Sequence, residues 1–62
     1  MHTLYYVTLI HQDIEHAVFR VSPYEVVTVS TSETNLLPGF NYDIHYTTDY
    51  ELIFIRLSPK QI

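Results

Sequence analysis

From Asn41 the chain alternates strictly, with Tyr42, Ile44 and Tyr46 on one side and Asp43, His45 and Thr47 on the other. After Thr48-Asp49-Tyr50 it continues as Glu51-Leu52-Ile53-Phe54-Ile55-Arg56-Leu57. Period-two alternation marks a half-buried strand, so the segment is predicted to be a hairpin. Its second strand is apolar on both faces, and such a strand needs cover on both. Ile53, Ile55 and Leu57 are expected to face the core. Leu52 and Phe54, between Tyr50 and Arg56, then require cover from Leu36, Leu37 and Phe40 or from a second copy of the chain.

The same patterning recurs earlier. Thr3 to His11 is rich in β-branched and aromatic residues and is predicted to be a strand. His11-Gln12-Asp13 breaks it, and Ile14 to Val21 resumes with Ala17, Phe19 and Val21 on one side. With Asp13 and Ile14 as the loop of a hairpin, Ile10 faces Ala17 and Thr8 faces Phe19; a longer loop shifts that register by a residue or two. Ser22-Pro23-Tyr24-Glu25 carries two signals. Ser22 as cap, Pro23 in the first turn and Glu25 closing a capping box start a helix. The β-branched run Val26-Val27-Thr28-Val29 that follows favours a strand with Val27 and Val29 on one face. The strand is preferred.

Ser30 to Phe40 is expected to be a loop, with Pro38-Gly39 as the centre of a type II turn whose second position needs positive φ. Leu36, Leu37 and Phe40 are too apolar for a solvated loop and are expected either to fold back or to meet a partner. The pattern as a whole predicts an all-β fold, a small antiparallel meander or an SH3-like or OB-like barrel of four to five strands. The alternative is α+β, with one short helix starting near Pro23.

Composition narrows what such a domain can do. Sixty-two residues fit one small domain, marginally stable unless packing or self-association helps. With no cysteine there is neither a disulfide framework nor a thiolate metal site. Seven acids against Arg20, Arg56 and Lys60 leave a formal charge of −4. That balance disfavours direct nucleic-acid binding and anionic membranes. No apolar run approaches a membrane span and the N-terminus lacks the features of a signal peptide, so the expected location is the cytoplasm of a cell or of an infected host.

Candidate chemistry changes the picture little. His2, His11, His16 and His45 are many for this length, and in the tight-loop register His11 and His16 become cross-strand neighbours near Asp13 and Glu15. No metal-ligand spacing supports a site, and no metal or cofactor is expected. None of the serines lies in a Gly-x-Ser-x-Gly elbow, and one glycine cannot build a phosphate-cradling loop, so an enzyme is not expected.

The six tyrosines are the more informative excess, because tyrosine offers rigid apolar area with a polar tip at binding surfaces. Tyr24, Glu25, Asp43, Tyr46, Asp49, Tyr50 and Glu51 are the candidate partner-binding residues, a mixture of phenol and carboxylate. Leu52, Phe54 and Arg56 with Leu36, Leu37 and Phe40 are the candidate self-association residues, with a homodimer expected. The charge density is low for strict mimicry of DNA, whereas a few acids combined with apolar anchors suit a protein contact.

Ser22-Pro23-Tyr24-Glu25-Val26 resembles the Ser-x-aromatic-Glu-Val element of short phage-encoded uracil-DNA glycosylase inhibitors, and Val7-Thr8-Leu9-Ile10 and Glu51 to Leu57 resemble two of their strands. Three short pieces carry the likeness, and the lengths between them differ. The resemblance implies a helical element with Tyr24, beside Glu25, on the enzyme-binding surface of a dimer. The expected function is therefore that of a small acidic protein-binding domain, a phage or mobile-element inhibitor that blocks a host nucleic-acid-processing or defence enzyme by stoichiometric binding. The alternatives are a structural subunit that self-associates through its sheet and an oligomeric sponge for a small ligand such as a nucleotide.

Overall fold

The computed structural model describes residues 1–33 and 35–59. Among the described residues there are five strands, β1 (His2–Gln12), β2 (His16–Ser22), β3 (Glu25–Ser30), β4 (Asn41–Tyr46) and β5 (Leu52–Leu57). All belong to one sheet in the order β3-β2-β1-β4-β5, with every named pairing antiparallel. β1 to β3 form a meander. The chain then returns through residues 31–40 to lay β4 on the far side of β1, which is the Greek-key order of an open, OB-like barrel. A single parallel bridge between Ser30 and Glu51 brings the two edge strands together.

Alternation sorts the side chains as the pattern predicts over most of the sheet. Val7, Leu9, Ala17, Phe19, Val29, Tyr42, Ile44 and Tyr46 are buried, with Leu4, Val27, Leu36, Leu52 and Ile55 packed against them. Phe19 meets Tyr42 edge to face at 6.2 Å, and the Tyr42 hydroxyl accepts the Leu37 N–H at 2.8 Å. That bond fixes the loop over the core and explains why Leu36 is inside while Leu37 and Phe40 remain about half exposed. The Pro38-Gly39 turn closes as expected, with the Phe40 N–H donating to the Leu37 carbonyl at 3.2 Å and Gly39 at φ 88°.

The strand preferred over Val26-Val29 is present, and three other readings are corrected. The alternative helix near Pro23, which the resemblance also implied, is absent: Pro23 and Tyr24 form the turn of a β2–β3 hairpin, with Ser22 opposite Glu25. The side chains that suggested a capping box serve the turn instead, the Tyr24 N–H and the Glu25 carboxylate each lying 3.4 Å from the Ser22 hydroxyl. The β1–β2 register is also shifted, because the loop takes Asp13 to Glu15. His11 faces Val18, and a further shift at Ile10 brings Leu9 opposite Phe19 and Thr8 opposite Arg20, so His16 is not the cross-strand neighbour of His11. Asp13 sets this loop by accepting the Glu15 and His16 N–H groups at 2.9 and 2.8 Å.

The third correction concerns β5. A register shift between His45 and Tyr46 leaves Ile53 as an extra residue, so that Tyr46 faces Leu52 while His45 faces Phe54. The bulge reverses the alternation. Leu52 joins Ile55 against the core, and Ile53 and Leu57, expected inside, are half exposed together with Phe54.

Candidate functional site

Away from the Ser30–Glu51 bridge the barrel does not close, because β3 and the β4–β5 hairpin diverge. The resulting groove of about 460 Å³ is lined by Leu4, Val21, Val27, Tyr46, Tyr50 and Glu25, with Val26 and Thr28 along its β3 lip. Each wall has a local cause. Val21 is the extra residue where the β2–β3 register shifts between Arg20 and Ser22, so it leaves the core face and stands 41% exposed. Val27 stays on the inward face of β3 and forms the floor with Leu4.

The opposite wall is aromatic. Tyr46 and Tyr50 stack with ring centroids 5.7 Å apart and planes at 19°, and His2 also stacks on Tyr46, at 5.1 Å. Tyr50 holds this position through the β4–β5 turn. Its N–H donates to the Thr47 carbonyl at 2.9 Å, and the Thr47 hydroxyl accepts the Asp49 and Glu51 N–H groups, both at 3.2 Å. The turn puts Tyr50 at φ 60°, a left-handed conformation uncommon for a bulky residue. Its carbonyl accepts the Ser30 N–H at 2.8 Å, which pins the wall to the end of β3.

Among the described residues, the groove lining contains one carboxylate and no lysine or arginine. Glu25 stands at its open end, next in sequence to Tyr24, which at 97% exposure is the most projecting of the tyrosines. Asp49 and Glu51 are exposed in and after the turn that carries Tyr50. Sequence reasoning thus singled out Glu25, Tyr46 and Tyr50, which the fold gathers on one groove. It missed Leu4, Val21 and Val27, which read as ordinary core positions because the register shift that exposes Val21 leaves no local mark.

Asp43 goes elsewhere. It is buried at 4% exposure on the β1–β4 side of the barrel. Its carboxylate accepts the Ser58 hydroxyl at 2.6 Å, the Tyr6 N–H at 2.9 Å, and Arg56 through Nε and Nη2, both at 3.1 Å. These donors, Ser58 first, then Tyr6 and Arg56, hold its pKa below the ordinary carboxylate value against the opposing effect of desolvation. A carboxylate so engaged is a structural clasp, and with Arg56 it lies apart from the contact residues it was grouped with.

On the other side of the bridge a second groove, about 400 Å³, runs between Ile14, Glu15, Thr31, Ser32, Glu51 and Leu52. It lacks an aromatic wall. Asp13, at the hairpin tip nearby, has its pKa lowered by the Glu15 and His16 N–H groups, with His16 and His11 adding a smaller attraction. Among the described residues no group of three or more His, Cys, Asp or Glu is placed to hold a metal ion. No helix is long and apolar enough to cross a membrane, a statement about helices alone. No protein-family model matches this chain, nor does any curated protein or solved structure.

Proposed function

We propose that the chain is a small acidic protein-binding domain whose contact site is the seam groove, and that it acts by occupying a basic, extended stretch of another protein. The observation that carries the reading is the stacked Tyr46–Tyr50 wall facing Val21 and Val27 across an open groove with Glu25 at its mouth. Such a surface offers rigid aromatic area, an apolar floor and negative charge, the combination that anchors protein partners. Tyr24, fully displayed beside Glu25, supports the same face. The net charge of −4 favours a basic partner such as the active-site cleft of a host enzyme that handles nucleic acid, and stoichiometric occlusion is the effect such binding has.

Site-specific photocrosslinking tests this directly. A benzophenone side chain is placed in turn at positions 24, 50 and 20 and exposed to lysate of the host, Arg20 being exposed on β2 outside the groove lining. A common adduct at 24 and 50 that is missing at 20 is the expected result. An adduct formed equally from all three, or from 20 alone, sinks the assignment.

A second reading, self-association, has its own observation. Ile53, Phe54 and Leu57 are exposed at 51%, 49% and 50% on β5, and Ile53 and Phe54 share a shallow apolar depression with Met1 and His45. Native mass spectrometry separates the two readings. A dimer or larger ring that is lost in Phe54→Lys supports self-association through this strand, and a chain that stays at 7.3 kDa at high concentration removes it.

A further inference from the structure

The groove has a feature that side chains alone do not explain: one of its lips is a bare strand edge. β3 pairs with β2 along Glu25 to Ser30, and on its other side the described residues supply only the Ser30–Glu51 bridge and the Ser30 bond to Tyr50. Val26 and Thr28, in step with Ser30, whose N–H reaches the Tyr50 carbonyl, therefore turn their N–H and C=O groups into the groove. Edge strands in soluble domains are ordinarily blunted by lysine, proline or a bulge on the edge itself. β3 carries none of these: its sequence is Glu-Val-Val-Thr-Val-Ser, and the irregularity in the β2–β3 ladder is the extra Val21 on β2.

Resting on the reading of the groove as a protein-binding site, we infer that the partner contributes one extended segment that adds to the free edge of β3 as a sixth strand, filling the seam between β3 and the Tyr46–Tyr50 wall. The space selects the occupant. A segment lying there has β3 on one side and the tyrosine wall on the other, so it must be a single strand with no sheet attached to either edge. A second copy offering its own β3 does not fit, since that strand brings β2 with it, and two chains of charge −4 repel. The segment presents small apolar side chains on alternate residues to Leu4, Val27 and Tyr46, and basic side chains between them on the outer face, with Val26 and Thr28, toward the acids of the β4–β5 turn. It enters from the Glu25 end, because the Ser30–Glu51 bridge closes the other.

N-methylation of a probe peptide separates strand addition from any binding by side chains alone. The probe is a short capped peptide of alternating valine and lysine, and two forms of it carry N-methyl groups, one on the valine amides and the other on the lysine amides. In a strand these two sets point to opposite edges, so only one of them faces β3. Titration against the isotope-labelled full chain is expected to give a Kd below about 1 mM for the unmethylated peptide. One methylated form is expected to bind at least about tenfold more weakly than the other, and amide exchange on β3 is expected to slow with the unmethylated peptide and with the better-binding methylated form but not with the weaker one. Equal binding of all three forms overturns strand addition and leaves a side-chain groove. No binding of the unmethylated peptide at that concentration overturns the inference as well, and the crosslinks from positions 24 and 50 then report separately on whether this face binds protein at all.

Discussion

Two tyrosines adopt the same disfavoured backbone at opposite sides of the barrel, Tyr6 at φ 55° and Tyr50 at φ 60°. Tyr6 lies in β1, where the ladder to β4 shifts between Leu4 and Val7, so that Tyr5 and Tyr6 together oppose Asp43. Its left-handed turn aims the N–H at the Asp43 carboxylate, which also gathers Ser58 and Arg56. The strain is answered by a buried clasp that bends β1 and locks the chain after β5. Tyr50 has no buried charge to serve. Its N–H closes an ordinary turn and its carbonyl bonds Ser30, the residue is 55% exposed, and its conformation adds a second aromatic ring to the groove wall. Identical strain thus serves architecture at one site and presentation at the other, and strain held for presentation points to function.

The clasp should dominate stability. Asp43→Asn keeps the shape but gives the Ser58 hydroxyl and Arg56 a weaker acceptor and leaves Arg56 without its counter-charge. It is expected to lower Tm by more than about 10 °C in thermal melts, a large change for a domain of this size. Tyr24→Ala, at an exposed hairpin tip, should leave Tm within about 2 °C. If the two variants melt alike, the contrast between a structural side and a presenting side is lost.

The pH dependence follows from the same clasp. Asp43 is held below the usual carboxylate pKa, in the first place by Ser58 and then by Tyr6 and Arg56. Its unfolded value is about 3.9, so its stabilisation is complete above that pH and disappears as pH falls through the lower folded value. Tm should hold level down to about pH 4 and then decline, and Asp43→Asn should flatten that decline. Asp13 shifts in the same direction at the exposed loop, so Asp13→Asn serves as the comparison, with a smaller flattening expected.

Much of the fold was legible because alternation is a local signal. Val7 and Leu9, Ala17 and Phe19, Val27 and Val29, and Tyr42, Ile44 and Tyr46 fall on the inward face as their spacing predicts. The bulges were not legible. Tyr5-Tyr6, Ile10, Val21 and Ile53 look like any other strand residues, yet each breaks the alternation between the residues on its two sides, which is how Leu52 came inside and Ile53 went out. Asp43 sits on the polar face of a strictly alternating strand and reads as solvent-facing. Its burial depends on Ser58, fifteen positions on, and on the N–H that the Tyr6 bulge frees, contacts that no window of sequence contains. Glu25, Tyr46 and Tyr50 were candidates by residue type alone, whereas their convergence on one groove comes from the Greek-key return.

Gly39 calibrates the backbone term. It lies at φ 88° with no atom within 4 Å of where a Cβ would stand, so Gly39→Ala adds strain without a clash. The expected loss is about 1 kcal/mol, or a Tm lower by about 4–8 °C. A null result would mean that left-handed backbone costs little in this chain, and the strain argument at Tyr50 would lose its force.

Tyr50→Asn carries a small stability change and the sharpest functional one. Asparagine tolerates the left-handed region, so the variant relieves strain of the size that Gly39→Ala measures. It also removes the stack on Tyr46, worth about 0.5–1.5 kcal/mol. The two terms oppose each other, and Tm is expected to move by less than it does in Gly39→Ala. Binding of the valine–lysine peptide should nevertheless weaken by about tenfold, because half of the aromatic wall is gone. A variant that melts like the parent and no longer binds shows that Tyr50 is held in its strained turn for the groove. One that binds unchanged places Tyr50 with Tyr6, as a residue whose unusual backbone answers only to the fold.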